Sequence, residues 1–315
     1  MSNRAKWRLG AAGLSMALLL AAAVPAQAAT RIQQNPPNWA LDRIDQAKGL
    51  DQAYHYDTDA ADVTVYVIDS GVDAKHPDLE NRVQAGKDFL GGKDTADLNG
   101  HGTRLAGIIG GKAYGVAKAA QLFPVRVLDK DGGGATENII AGIDWVTHNA
   151  HQPAVAVLGI GGVPNDKLDT AVRALAGVMP VAVPAGGETA DAGGFSPGRV
   201  AEVLTVGATD VQDKVAPSSN FGAAVDLYAP GVEIPSLLMG GSGAGVLSGT
   251  SLAAAHVAGV AALYRSLHPR ETPAQVTKAL VDGASTGALT GVREGTANRL
   301  LCSACTPPPV PTPAP

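Results

Sequence analysis

The sequence predicts an α/β protein with a mainly parallel, doubly wound sheet and helices on both faces, and three observations predict it. Strand-like and helix-like segments alternate through most of the chain, the pattern left by strand–helix–strand crossovers. The strand candidates are continuous apolar runs, Val63 to Ile68 foremost, and strands buried on both faces read that way. Aromatic residues make up only 4% of the chain while alanine, valine and glycine abound, so the core is built from small and β-branched side chains. No internal repeat is visible.

In chain order, Arg4, Lys6 and Arg8 precede an apolar run from Leu9 to Val24 and the small-residue site Ala26-Gln27-Ala28. This is the pattern of a secretory signal peptide over residues 1–28. Residues 29–50 read as an extended arm entering a short helix. Val63 to Ile68 is a buried strand ending in Asp69-Ser70-Gly71, which puts Asp69 at the carboxyl edge where open α/β sheets bind ligands. A Gly- and Asp-rich loop over residues 86–100 leads to Asn99-Gly100-His101-Gly102-Thr103, where a small-residue helix begins. Strands are expected over Gln121–Val127, Ala154–Leu158, Met179–Val183 and Val203–Gly207. Helices are expected over Thr136–His148, which is amphipathic, over Lys167–Ala176, from Ser251 to about Leu267, and over Pro273–Val281 with proline in its first turn. Thr306 to Pro315 is polyproline-like, extended and unpacked, either a spacer or a docking ligand.

The bulk properties narrow the function. The full chain carries −5, and losing the three basic residues of the leader takes it to −8, which gives no reason to expect nucleic-acid binding. The 287 residues after residue 28 suit one large domain. No later segment is long and apolar enough to cross a membrane. The two cysteines, Cys302 and Cys305, stand before a proline-rich tail rather than a helix, so they form a local disulfide or remain two free thiols, not a redox motif. A secreted monomer is expected.

The chemistry gathers in three segments: Asp69 after a strand, His101 before a helix, and Ser251 before a helix. A serine at a helix N-terminus has its backbone N–H among the unpaired amides that favour negative charge, where acyl transfer develops an oxyanion. Asp, His and Ser in that chain order supply an orienting acid, a base and a nucleophile. His256, inside the helix after Ser251, reads as structural packing; His148 and His151 read as surface residues.

Val67-Ile68-Asp69-Ser70-Gly71-Val72, Gly100-His101-Gly102-Thr103 with Ala106-Gly107, and Gly249-Thr250-Ser251 with His256-Val257-Ala258-Gly259 resemble the Asp, His and Ser motifs of the subtilases, most closely the proteinase K-like branch. The resemblance continues through Val125-Arg126-Val127-Leu128-Asp129, Gly142-Ile143-Asp144-Trp145-Val146 and Gly295-Thr296-Ala297-Asn298-Arg299-Leu300-Leu301, and covers roughly residues 35–301. It implies a subtilisin-like fold over 29–301 and serine endopeptidase activity through Asp69, His101 and Ser251, with no cofactor for the chemistry. It also implies substrate-binding segments at Gly159, Ile160 and Gly161 and at Ala185 and Gly186. A structural Ca²⁺ on the Asp226 carboxylate and the carbonyls of Ala201 and Val203 is implied too, set against a simply solvated Asp226.

The sequence departs from that pattern in places that bear on activity. Gly187 stands where the family has its oxyanion-stabilising asparagine, and no asparagine occurs from Asp166 to Ser219. The Ser251 N–H remains, with Thr250 able to assist, while Glu188 is harmful if it points inward. Gly159-Ile160-Gly161-Gly162 stands for Ser-Leu-Gly-Gly, Arg104 for the second histidine of the His motif, and Ala255 for a proline. No folding-assistant propeptide is expected between Ala28 and the start of the resemblance. Two readings follow: an attenuated secreted protease, or a pseudoprotease that binds peptides or a partner protein in the old cleft. A purely structural exported domain leaves the triad unexplained.

Overall fold

The computed structural model describes residues 30–241 and 243–305. The leader expected over residues 1–28 and the proline-rich stretch from Thr306 lie outside the described residues. An antiparallel pair, β1 (Arg31–Gln34) and β2 (Ala53–Tyr56), brackets helix α1 (Trp39–Ile44). The central sheet draws on β3 (Thr64–Asp69), β4 (Lys87–Asp88), β5 (Gln121–Arg126), β6 (Ala154–Leu158), β7 (Val181–Pro184), β8 (Leu204–Thr209) and β9 (Leu227–Pro230). A separate hairpin follows, β10 (Ile234–Leu237) with β11 (Ala244–Leu247). The last strands are β12 (Ser285–Thr286) and β13 (Arg299–Leu300). The nine-stranded sheet has the order β12-β13-β9-β8-β7-β6-β3-β5-β4 and is parallel except for β12 with β13.

Strand β3 shows how both faces are covered. Its side chains alternate: Val65 and Val67 join a core with helices α2 (His101–Gly110) and α5 (Thr250–Leu267), while Tyr66 and Ile68 join a second core with α3 (Thr136–Asn149) and α4 (Asp166–Ala176). The period of two in a strand sends successive residues to opposite faces, so an apolar run without alternation is what a two-sided sheet requires. Helix α5 is buried nearly all round against β6 to β9 and α2, which its Ala-rich sequence permits. Helix α6 (Pro273–Asp282) starts with a capping box in which the side chains of Thr272 and Gln275 each bond the other's backbone N–H.

The expected elements are present with small shifts. Strand β7 begins at Val181 rather than Met179, after Pro180, which has no N–H for the ladder. Strand β8 runs on to Thr209 because β9 pairs with it that far. Cys302 and Cys305 are joined as a disulfide. No helix among the described residues is long and apolar enough to cross a membrane.

Candidate active site

Asp69 ends β3 and is completely buried. Its Oδ1 accepts the Ser70 N–H at 2.7 Å, and its two carboxylate oxygens lie 3.0 and 2.9 Å from His101 Nδ1. The carboxylate thereby fixes the ring so that Nδ1 carries the proton and Nε2 is the free face. His101 is the first residue of α2, whose N-terminal amides are capped by neighbouring side chains. The His101 N–H donates to Asn99 Oδ1, Gly102 N–H to Ser70 Oγ at 3.0 Å and Thr103 N–H to Asp97 Oδ2 at 2.9 Å.

Burial of the imidazole favours its neutral form. The Asp69 charge and hydrogen bond outweigh this, aided by the Asp97 charge and opposed by Arg104, so the His101 pKa stands above the ordinary histidine value. If His101 is the base, the acid limb of kcat/KM is expected above pH ~6.5. A pH profile on a peptide anilide measures it, and a limb below that value contradicts the arrangement.

Helix α5 opens differently. Gly249 precedes it without a side-chain cap, and Leu252 N–H and Ala253 N–H both return to Gly249 O. Among the described residues nothing accepts the Ser251 N–H, so that amide is left for an incoming anion. Thr250 Oγ1 accepts the Gly186 N–H at 3.3 Å, which ties the start of α5 to the 185–190 loop.

The segment 159–162 joins the two halves of the site. A Cβ at Gly159 would lie 1.9 Å from Asp69 Oδ2 and 2.9 Å from His101 Cε1, so the Asp69–His101 pair occupies the space a side chain would take. Gly161 and Gly162 line a cavity of about 190 Å³ with Ala185, Gly186, Gly187 and Ser251. Ile160 is buried in the core instead. Of the five residues expected to bind substrate, Gly161, Ala185 and Gly186 therefore face the cavity, Gly159 abuts the Asp69–His101 pair, and Ile160 anchors the segment between them.

Gly187 is exposed, its backbone is outside the left-handed region, and a Cβ there would meet nothing within 4 Å. Glu188 lines the same cavity, with its carboxylate tied to Asn220. Its carboxylate accepts Asn220 Nδ2–H at 2.8 Å, and its N–H donates to Asn220 Oδ1 at 2.9 Å. Buried Asn220 also bonds Ala185 O and Ala190 N–H, so its amide is spent on holding the loop and does not stand in for the missing asparagine.

The other three histidines singled out in the sequence lie where they were expected. His256 is buried, donates from Nδ1 to Leu252 O at 2.9 Å and meets Asn38 Nδ2 at 3.2 Å, while burial pushes its pKa down to about 4. His148 and His151 are exposed. Asp226 precedes β9, at the end of the sheet away from Asp69. Its Oδ2 accepts the Thr205 N–H at 2.8 Å, and burial pushes its pKa up to about 6, opposed by that hydrogen bond and by Arg299. Sequence reasoning passed over Asp97, Ser70 and Asn220. The only signal for Asp97 was a short acidic residue just ahead of a helix start, which also describes many loop residues.

The sequence profile of the Subtilase family matches residues 60–299. "Alkaline serine exoprotease A" of Vibrio alginolyticus is 46% identical over 268 residues, covering 84% of this chain and 50% of that one. "Extracellular serine proteinase" of Thermus sp. (strain Rt41A) is 46% identical over 252 residues, 79% of this chain and 62% of that one. "Proteinase R" of Parengyodontium album is 41% identical over 276 residues, covering 85% and 70%. The chain thus spans about half the length of the first of these relatives. The crystal structure of a cold adapted subtilisin-like serine proteinase superposes with a TM-score of 0.82 at 44% identity, covering 84% of this chain and 97% of that one.

Proposed function

The chain belongs to the subtilase family, and from that premise we propose that it is a secreted serine endopeptidase working through Asp69, His101 and Ser251, with an oxyanion site weakened at Gly187. The observation that carries this reading is the buried Asp69 holding His101 Nδ1 next to the glycine segment whose far end shares a cavity with Ser251. In the reaction, Ser251 Oγ attacks the scissile carbonyl and its proton passes to His101 Nε2. Asp69 stabilises the resulting imidazolium without taking the proton. The tetrahedral oxyanion meets the Ser251 N–H at the positive end of α5, with Thr250 beside it and no side chain from position 187. His101 then protonates the leaving amine, and water repeats the sequence on the acyl-enzyme.

An extended peptide lying along Gly161 and Gly162 would bind through main-chain groups. A fluorophosphonate probe tests the nucleophile: labelling at Ser251 that is lost in H101A supports this reading. A folded protein that neither labels nor cleaves peptide supports the second reading, a peptide- or partner-binding pseudoprotease, which Gly187 favours.

A structural cation at Asp226 belongs to the same proposal, supported by the desolvation of its carboxylate. A half-buried carboxylate whose pKa is raised to about 6 favours folding only when protonated. Its contribution is complete below the unfolded value near 3.8 and is lost as pH rises through about 6. At pH ~8 the bare charge costs on the order of 3 kcal/mol. Ca²⁺ held by Asp226 and the carbonyls of Ala201 and Val203 would neutralise it with oxygen ligands, a structural contribution with no part in the chemistry. Chelation at pH ~8 is therefore expected to lower the Tm of the wild type, and Asp226→Asn is expected to raise the Tm in chelator and abolish the calcium response. A wild-type Tm indifferent to calcium rules the site out.

A further inference from the structure

We infer that Asp97 is a positioning residue that locks the Asp69-bearing strand to the His101-bearing helix, an inference that rests on the proposed proteolytic role of that pair. Asp97 is nearly buried, and its carboxylate collects five hydrogen bonds. Oδ1 accepts from Ser70 Oγ at 2.9 Å, Asn99 N–H at 3.0 Å and Gly100 N–H at 2.8 Å. Oδ2 accepts from Thr103 N–H at 2.9 Å and Thr103 Oγ1 at 2.6 Å. Four of these donors belong to the turn that launches α2, and the fifth belongs to the residue after Asp69.

Ser70 is the link between the two sides. Its N–H donates to Asp69 Oδ1, and its hydroxyl donates to Asp97 while accepting the Gly102 N–H. The chain of contacts therefore runs from Asp69 through Ser70 to Asp97 and from there to the peptides on both sides of His101. The helix has no cap of its own, since Gly100 offers no side chain, so Asp97 and Ser70 supply what the sequence leaves out. A shift of about 1 Å between base and acid can cost roughly 10²-fold in rate, and this carboxylate sits where such a shift would be absorbed. An amide at position 97 has one acceptor oxygen instead of two and cannot satisfy the Thr103 N–H together with the other amides.

Asp97 also contributes charge. The groups acting on the His101 imidazole are Asp69 from β3, Asp97 from the loop before α2, and Arg104 from the helix itself. Removing the Asp97 charge lowers the affinity of His101 for its proton, an effect that a purely structural cap would not produce.

Two variants test the inference. Ser70→Ala keeps the Asp97 charge and its other four donors but cuts the link to the strand; Asp97→Asn removes the charge. With peptide anilide, Ser70→Ala is expected to lower kcat by about 10–100-fold at little changed KM. Asp97→Asn is expected to move the acid limb of kcat/KM to lower pH. NMR titration of the His101 imidazole in the wild type and Asp97→Asn follows the same link without turnover and is expected to show the same displacement. Folded variants with wild-type kcat, pH limb and His101 titration overturn the inference. A wild type that neither cleaves nor labels overturns the proteolytic reading instead, and the imidazole titration still decides the role of Asp97. If Asp97→Asn does not fold, Ser70→Ala decides it through kcat and through the His101 Nδ1 proton signal, which is expected to weaken when the link is cut and to stay unchanged if the inference is wrong.

Discussion

Gly187→Asn is expected to raise kcat on a peptide anilide by about 10²–10³, roughly 2.7–4 kcal/mol, a magnitude measured on the corresponding asparagine of subtilisin and carried over from that relative. The local structure allows it. The backbone at Gly187 lies outside the left-handed region, and a Cβ there meets nothing within 4 Å. Glu188 lines the same cavity, and its carboxylate already accepts the Asn220 amide. An oxyanion donor acts when charge develops in the transition state, so kcat should carry the gain while KM changes little. Steady-state kinetics of the wild type and the variant separate the two. An unchanged kcat means that the cleft is no longer built for catalysis, and the pseudoprotease reading then stands.

Ser251→Ala is expected to lose nearly all turnover, but the size of the loss is itself informative. A complete subtilase loses about 10⁶ in kcat when its serine is removed, the handiest comparison being subtilisin itself. A site that already lacks one oxyanion donor starts roughly 10²–10³ lower. Its serine deletion should therefore cost only about 10³–10⁴ against the same residual rate. In the Gly187→Asn background the loss should grow back toward about 10⁶. The serine and the asparagine act on one tetrahedral intermediate, so their effects are coupled rather than additive. A Ser251→Ala variant that retains turnover moves the chemistry elsewhere in the molecule.

Much of this was legible before the structure. Asp69, His101 and Ser251 stand in short segments whose local roles, strand end and helix start, are set by neighbouring residues. The buried parallel sheet followed from apolar runs such as Val63–Ile68, because a strand covered on both faces cannot alternate. Other features depend on contacts distant in sequence. Strands β9 to β11 are short, and β11 is largely exposed, so their residues carry no periodic signal, and only pairing with β8 or with each other defines them. Whether Glu188 pointed inward depended on Asn220, 32 residues away. Gly159 read as a departure from a serine-containing pattern, and only the fold shows the Asp69 carboxylate lying against it. Asp97 looked like one acidic loop residue among several until five donors converged on it.

On the proposed mechanism, Ser251 generates an oxyanion that position 187 fails to stabilise. The most direct test is a double-mutant cycle, measuring kcat/KM of wild type, Gly187→Asn, Ser251→Ala and the double variant on one peptide anilide. Asparagine is expected to raise kcat/KM by about 10²–10³ when Ser251 is present and to have no effect when it is absent. An asparagine effect of equal size with and without Ser251, or none in either background, contradicts that mechanism.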